Sequence, residues 1–103
     1  MDELLYYKGM SWRRLGEERQ AGAAFDTLLE RARAGLSAQP DVDFFAKFGD
    51  RESAGRREAR LRYLLGLGFL GRGRRTEARS EFERALALHP GHAGARRALD
   101  GLE

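Results

Sequence analysis

His89 and His92 flank Pro90 and Gly91, and two imidazoles this close in sequence are the first place to look for a metal. The chain has no cysteine, and no carboxylate lies close to the pair. That is a poor donor set, because zinc takes four ligands and hard cations take several oxygens. Ordinary loop histidines are expected, with no metal. Gly66, Gly68, Gly71 and Gly73 invite comparison with a phosphate-cradling loop. Such a loop follows a strand and ends in Gly-Lys-Ser/Thr, and neither feature occurs here. Arg56, Arg57, Arg60 and Arg62, and then Arg72, Arg74 and Arg75, could touch phosphates. Glu58 interrupts the first set, and neither set has a stacking aromatic on a polar surface, so solvated faces are expected. Asp41, Asp43 and Asp50 have the spacing of loop and cap residues. No Ser/His/Asp set or paired acids can be assembled, so no catalytic residue, cofactor or enzymatic activity is expected.

The elements that must position these residues come from an internal repeat. Gly9, Trp12, Gly16, Ala21, Phe25 and Leu28 stand at steps of 3, 4, 5, 4 and 3. Gly66, Phe69, Gly73, Ala78, Phe82 and Ala85 stand at the same steps, with Pro90 five residues further on. The first glycine of each ladder leaves room for a neighbouring helix, and the aromatic three residues on shares its face. Gly16 and Gly73 can take a positive φ and end the first helix. Ala21 and Ala78 sit at another close crossing, and Phe25 and Phe82 fill the space between paired helices. Pro90 stops the last of these helices. Two helix–turn–helix hairpins are predicted. Ala21, Ala24, Phe25, Leu28, Leu29, Ala32 and Leu36 form one apolar stripe, and Ala78, Phe82, Ala85, Leu86 and Leu88 another. Arg19, Asp26, Glu30 and Arg33, and Arg79, Glu83 and Arg84, are expected on the opposite, solvated faces.

The ladder of small residue, aromatic, Gly, Ala, aromatic, Ala and Pro resembles the tetratricopeptide repeat. The resemblance covers residues 60–92 closely and residues 2–36 with two departures. Leu28 stands where Ala is usual, and Arg33 where Pro is usual, so the second helix should run on to about Leu36. Residues 93–102 look like a lone first helix whose Ala95, Ala98, Leu99 and Leu102 cap the second repeat. The ladders lie 57 residues apart against about 34 for one tetratricopeptide unit. The excess falls at 37–59, an insert carrying Phe44, Phe45 and Phe48, which are expected to pack on the chain itself. A helix beginning near Glu52 would lengthen the first helix of the second repeat. The expectation is thus an all-α, tetratricopeptide-like domain: two repeats, an inserted aromatic loop or helix extension, and a terminal capping helix. The layout also resembles the C-terminal helical segment of large bacterial proteins with an uncharacterised N-terminal region, and the chain reads as a segment of a longer protein.

In such arrays the first helix of each hairpin lines the concave surface. That resemblance places Glu3, Tyr6, Tyr7, Met10 and Arg13 there from the first repeat, and Arg60, Tyr63, Leu64, Leu67 and Leu70 from the second. Tyr6, Met10, Arg13, Arg60, Tyr63, Leu67 and Leu70 are the candidate binding residues. The variant that grips a peptide's terminal carboxylate uses Lys and Asn at several of these positions. Here only Arg60 meets the basic requirement, so that mode is not expected. Residues 63–70 are apolar on every side, which demands burial all round. One side meets the hairpin partner. Tyr63, Leu67 and Leu70 must be covered by the insert, a second copy of the chain, or a partner's helix.

Composition bounds the rest. The 103 residues suit one domain, and the absence of cysteine excludes disulfides. No apolar run reaches the roughly 20 residues of a membrane span. The opening Met-Asp-Glu-Leu-Leu is acidic and unlike a secretion signal, so a cytoplasmic location is expected. Residues 1–50 carry 7 basic and 9 acidic groups, and residues 51–103 carry 12 and 7. The basic second half admits nucleic-acid binding as a third reading, behind a protein-interaction module and a purely structural docking or dimerising segment. The partner expected is therefore a protein or peptide, with homodimerisation open.

Overall fold

The computed structural model describes residues 2–38 and 51–102, the side chains of 51–53 excepted. Helix α1 spans Glu3–Arg14, α2 Glu18–Ser37, α3 Arg51–Gly71, α4 Arg75–Leu88 and α5 Ala93–Leu102. No strand occurs among the described residues. The chain is all-α, as the ladder predicts, and α2 runs one residue past Leu36. Of the predicted insert 37–59, residues 51–59 open α3, whereas Phe44, Phe45 and Phe48 lie outside the described residues.

The two hairpins turn by the same device. Gly16 has φ 81° and Gly73 has φ 78°. In each case the glycine N–H donates to the carbonyl three residues back: Gly16 to Arg13 and Gly73 to Leu70, both at 3.0 Å. The next N–H reaches five residues back, from Glu17 to Trp12 and from Arg74 to Phe69, both at 2.9 Å. This pair of bonds is the Schellman closure, which satisfies carbonyls left open at a helix end and needs a left-handed residue. The N-cap residues of α2 and α4, Glu17 and Arg74, use no side-chain cap. Turn geometry alone starts the second helices.

The interior of each hairpin repeats as well. A Cβ built on Gly9 would meet the Phe25 ring at 2.5 Å, and one built on Gly66 would meet the Phe82 ring at 2.5 Å. Any side chain at these positions would push the helices apart. Phe25 and Phe82 are fully buried. The hairpins then stack: α2 packs on α3, α1 lies beside α3, and α4 carries α5. Gly68 faces Leu29, and Gly71 faces Phe25, which thereby serves both its own hairpin and the junction with the next.

The predicted stripes are buried except at their ends. Leu36 and Leu86 are half-buried, and Leu88 is exposed. Leu88 is a correction to the second stripe: it lies at the last position of α4, beyond the reach of the packed neighbours. Arg62 departs from the solvated face expected for its cluster. It is half-buried, with Nη1 3.1 Å from the buried Glu81 carboxylate and Nε 3.6 Å from Glu58. This polar bridge joins α3 to α4 within the second hairpin. On α5, Ala95, Leu99 and Leu102 are buried and Ala98 is half-buried, and Arg75 Nη2 donates to the Leu102 carbonyl at 3.1 Å.

Candidate functional site

One side of the stack brings residues of α1, α3 and α5 together. Residues 63–69 of α3 are buried all round, as their composition demands, whereas Leu70, the last of the expected stretch, is half-buried at the end of the helix. Among the described residues, α1 and α5 converge on Tyr63. Its hydroxyl donates to Glu3 Oε1 at 2.7 Å. Its ring lies 4.9 Å from that of His92 and 6.0 Å from that of Phe82. Gly94 of α5 lies so close that an added Cβ would meet the Tyr63 ring at 2.8 Å. Burial and the bond to the Glu3 carboxylate together push the Tyr63 phenol well above its ordinary value, so it stays protonated and remains the donor.

Two clefts open along this line. The larger, about 300 Å³, has Tyr63 and Leu64 against Asp2, Glu3, Arg60, His92, Gly94 and Arg97. The second, about 200 Å³, brings Tyr6, Tyr63, Leu67 and Leu70 together with Arg97 and Ala98. Four of the seven candidate residues therefore share one opening, and Arg60 borders the other. Tyr63 and Leu67 are buried and floor the second cleft, whereas Arg60 is exposed at the rim of the first. Tyr6 is half-buried, its ring 6.0 Å from Phe25. Burial, then the neighbouring Tyr7, raises its phenol, while Arg13 opposes the shift. Met10 is half-buried and lines neither cleft. Arg13 is engaged within its own hairpin, over the Phe25 ring at 5.1 Å and 3.3 Å from Glu18.

The contribution of α5 to this face was not anticipated beyond its capping role. The signal for it is present: stepping about 34 residues from Arg60, Tyr63 and Leu64 reaches Gly94, Arg97 and Ala98. His92 was read as a plain loop residue, yet it starts α5. Its Nδ1 accepts the Ala95 N–H at 3.0 Å, an N-cap contact made by imidazole. Burial first, then the charge of His89, lowers its pKa. The arginines of the second half do not form one patch. Arg72 pairs with Asp26 at 3.4 Å, Arg74 with Glu77, and Arg84 with Glu81 at 3.5 Å. No group of three metal-ligating side chains occurs among the described residues, and none of their helices is long and apolar enough to cross a membrane.

Repeated helical hairpins with this turn and this Gly–Phe contact define an α-helical repeat protein. Residues 3–33, nearly the whole first hairpin, match the family model described as Tetratricopeptide repeat. The first hairpin is thus a tetratricopeptide repeat, and the second reproduces its turn and its Gly–Phe contact 57 residues later. No curated protein and no solved structure gives a significant match. Repeats of this family mediate protein–protein interaction and typically serve as scaffolds rather than as enzymes.

Proposed function

We propose that the chain is an interaction module that holds a peptide or helix of a partner protein in the groove between α1, α3 and α5. One observation carries this reading. The buried Tyr63 and Leu64 of α3 floor a cleft of about 300 Å³ rimmed by Glu3, Arg60 and Arg97. An apolar floor with a few convergent polar groups is how binding clefts gain both affinity and register. In this reading the half-buried Tyr6 and Leu70 supply apolar surface over a floor of buried Tyr63 and Leu67, Arg60 and Arg97 supply charge, and Met10 and Arg13 lie at the margin. No cofactor takes part. The test is selection of peptides from a random library on the immobilised protein, followed by competition with surface variants. Selected peptides should lose affinity for Arg60→Glu and Arg97→Glu and keep it for Arg79→Glu and Glu83→Arg on the outer face of α4. The opposite pattern rejects the groove.

A second reading, a docking or self-associating segment, is supported by α1 and its C-cap. Leu4, Tyr7 and Leu15 are exposed and lie on one side of the helix. Light scattering on the wild type and on Leu4→Glu/Leu15→Glu decides it. A dimer that the double variant abolishes favours this reading, and a monomeric wild type removes self-association.

A further inference from the structure

Beyond His92 the groove changes character. Arg56, Arg57 and Arg60 of α3, with His89 and His92 at the turn between α4 and α5, surround an opening of about 430 Å³. Among the described residues, every side chain lining it is cationic or can become so, and no carboxylate lines it. Arg56 and Arg60 stand one helical turn apart on the same face and are both exposed. Neither makes an ion pair among the described residues, whereas Arg62, Arg72, Arg74 and Arg84 each meet a carboxylate. Arg57 is tethered, its Nη2 donating to the Gly35 carbonyl at 3.0 Å, which fixes one cation at the wall. His92 accepts a backbone N–H at Nδ1, so in the neutral ring Nε2 carries the proton and is the donor. Like charges one turn apart repel, so this cluster is a fixed source of positive potential that an anion would relieve. Arg60 and His92 line both this opening and the Tyr63–Leu64 cleft, so the two are continuous.

We infer that this basic end binds carboxylates of an acidic segment in the partner protein, whose neighbouring apolar side chain enters the adjoining cleft floored by Tyr63 and Leu64. The inference rests on the groove being the partner surface. Guanidinium groups donate paired N–H bonds to carboxylates, and among the described residues no ion pair holds Arg56 or Arg60 away from one. The first repeat has no such cluster: the position matching Arg60 is Glu3. A protein segment fits better than a nucleic acid. The groove runs on to Asp2 and Glu3, which would repel a continuous phosphate chain. The aromatic at its floor, Tyr63, is buried among Glu3, Phe82 and His92 and offers no open stacking platform.

The test uses fluorescein-labelled twelve-residue peptides and fluorescence anisotropy at low and physiological salt. One peptide repeats Asp-Asp-Leu, a second repeats Asn-Asn-Leu, and a third repeats Asp-Asp-Ser. A twelve-nucleotide thymidine strand is the fourth probe. The expected result is binding of the Asp-Asp-Leu peptide that weakens with salt. It should fall about tenfold or more for the Asn-Asn-Leu peptide and for Arg56→Glu/Arg60→Glu, two screened rim charges being reversed at once. Both positions are exposed on a helix, and circular dichroism with Arg56→Gln/Arg60→Gln separates charge from folding. Equal binding of the Asn-Asn-Leu peptide, unchanged by charge reversal, overturns the basic site while leaving the groove reading intact. Equal binding of the Asp-Asp-Ser peptide upholds the anion site and removes the apolar floor from the groove reading. Tighter binding of the thymidine strand, or no binding of the Asp-Asp-Leu peptide, overturns the inference.

Discussion

Helices α1 and α3 are the same element placed in different surroundings. Glu3, Leu4, Tyr6, Tyr7, Gly9, Met10 and Arg13 correspond to Arg60, Leu61, Tyr63, Leu64, Gly66, Leu67 and Leu70 at a constant offset of 57. Both helices end in the same glycine closure and press the same glycine onto a phenylalanine ring. Yet Leu4 is 60% exposed and Leu61 5%, and Tyr7 is 54% exposed and Leu64 3%. The cause is stacking: among the described residues α3 lies against α1, α2 and α4 and meets α5 at Tyr63, whereas α1 packs mainly on α2 and α3. The ladder residues build a hairpin, and the neighbours decide whether the residues between them become core, cleft or surface. This is how a repeat protein distributes its stability, each unit drawing on the interface with the next.

The contrast can be broken first at its widest point. Leu61→Glu or Leu67→Glu should cost more than about 4 kcal/mol, since a charge would be buried without a partner, and should abolish the thermal transition. Leu4→Glu should stay within about 0.5 kcal/mol of wild type, as surface changes do. Equal losses would mean that α1 is covered as α3 is. Next comes Gly66→Ala, expected to lower stability in urea by about 1–3 kcal/mol through overpacking on Phe82. Gly9→Ala makes the same clash but on a terminal helix that can shift outward, so its loss should be the smaller of the two. Gly16→Ala and Gly73→Ala sharpen the comparison from the other side. Each forces a side chain into positive φ where nothing crowds it, so each should cost about 1–2 kcal/mol, and the two should agree.

The smallest effect concerns acid. His92 has a pKa lowered below the imidazole's ordinary value of about 6.5, and it caps α5 through an unprotonated Nδ1. The unfolded chain therefore binds the proton more readily, and stability rises with pH in this window. The contribution is complete above about pH 6.5 and shrinks as pH falls from there to the lowered value. Urea midpoints at pH 7.5 and 5 should differ in the wild type and differ less in His92→Asn, which can cap without titrating.

Much of this was legible in the residues. Period, small residues and two glycines with no other purpose placed both hairpins, their turns and their buried phenylalanines. Positions whose fate depends on stacking were harder to read. Tyr63 and Leu67 carry the types of a binding residue and of a core residue at once, and the approach of Gly94 and His92 is what makes them floor. Arg62 looked like part of a solvated run because its partner Glu81 lies on the other helix of the hairpin. Arg13 looked available because the pull of Glu18 and Phe25 crosses a turn. The contribution of Arg97 was visible only by extending the repeat past the second hairpin.

The groove is most directly tested by recording amide spectra of the ¹⁵N-labelled protein during titration with a library-selected peptide. The account predicts shifts gathered at residues 3–10, 60–67 and 92–98. Shifts gathered instead around Arg19, Glu30, Arg79 and Glu83 would contradict it and move the partner to the outer faces of α2 and α4.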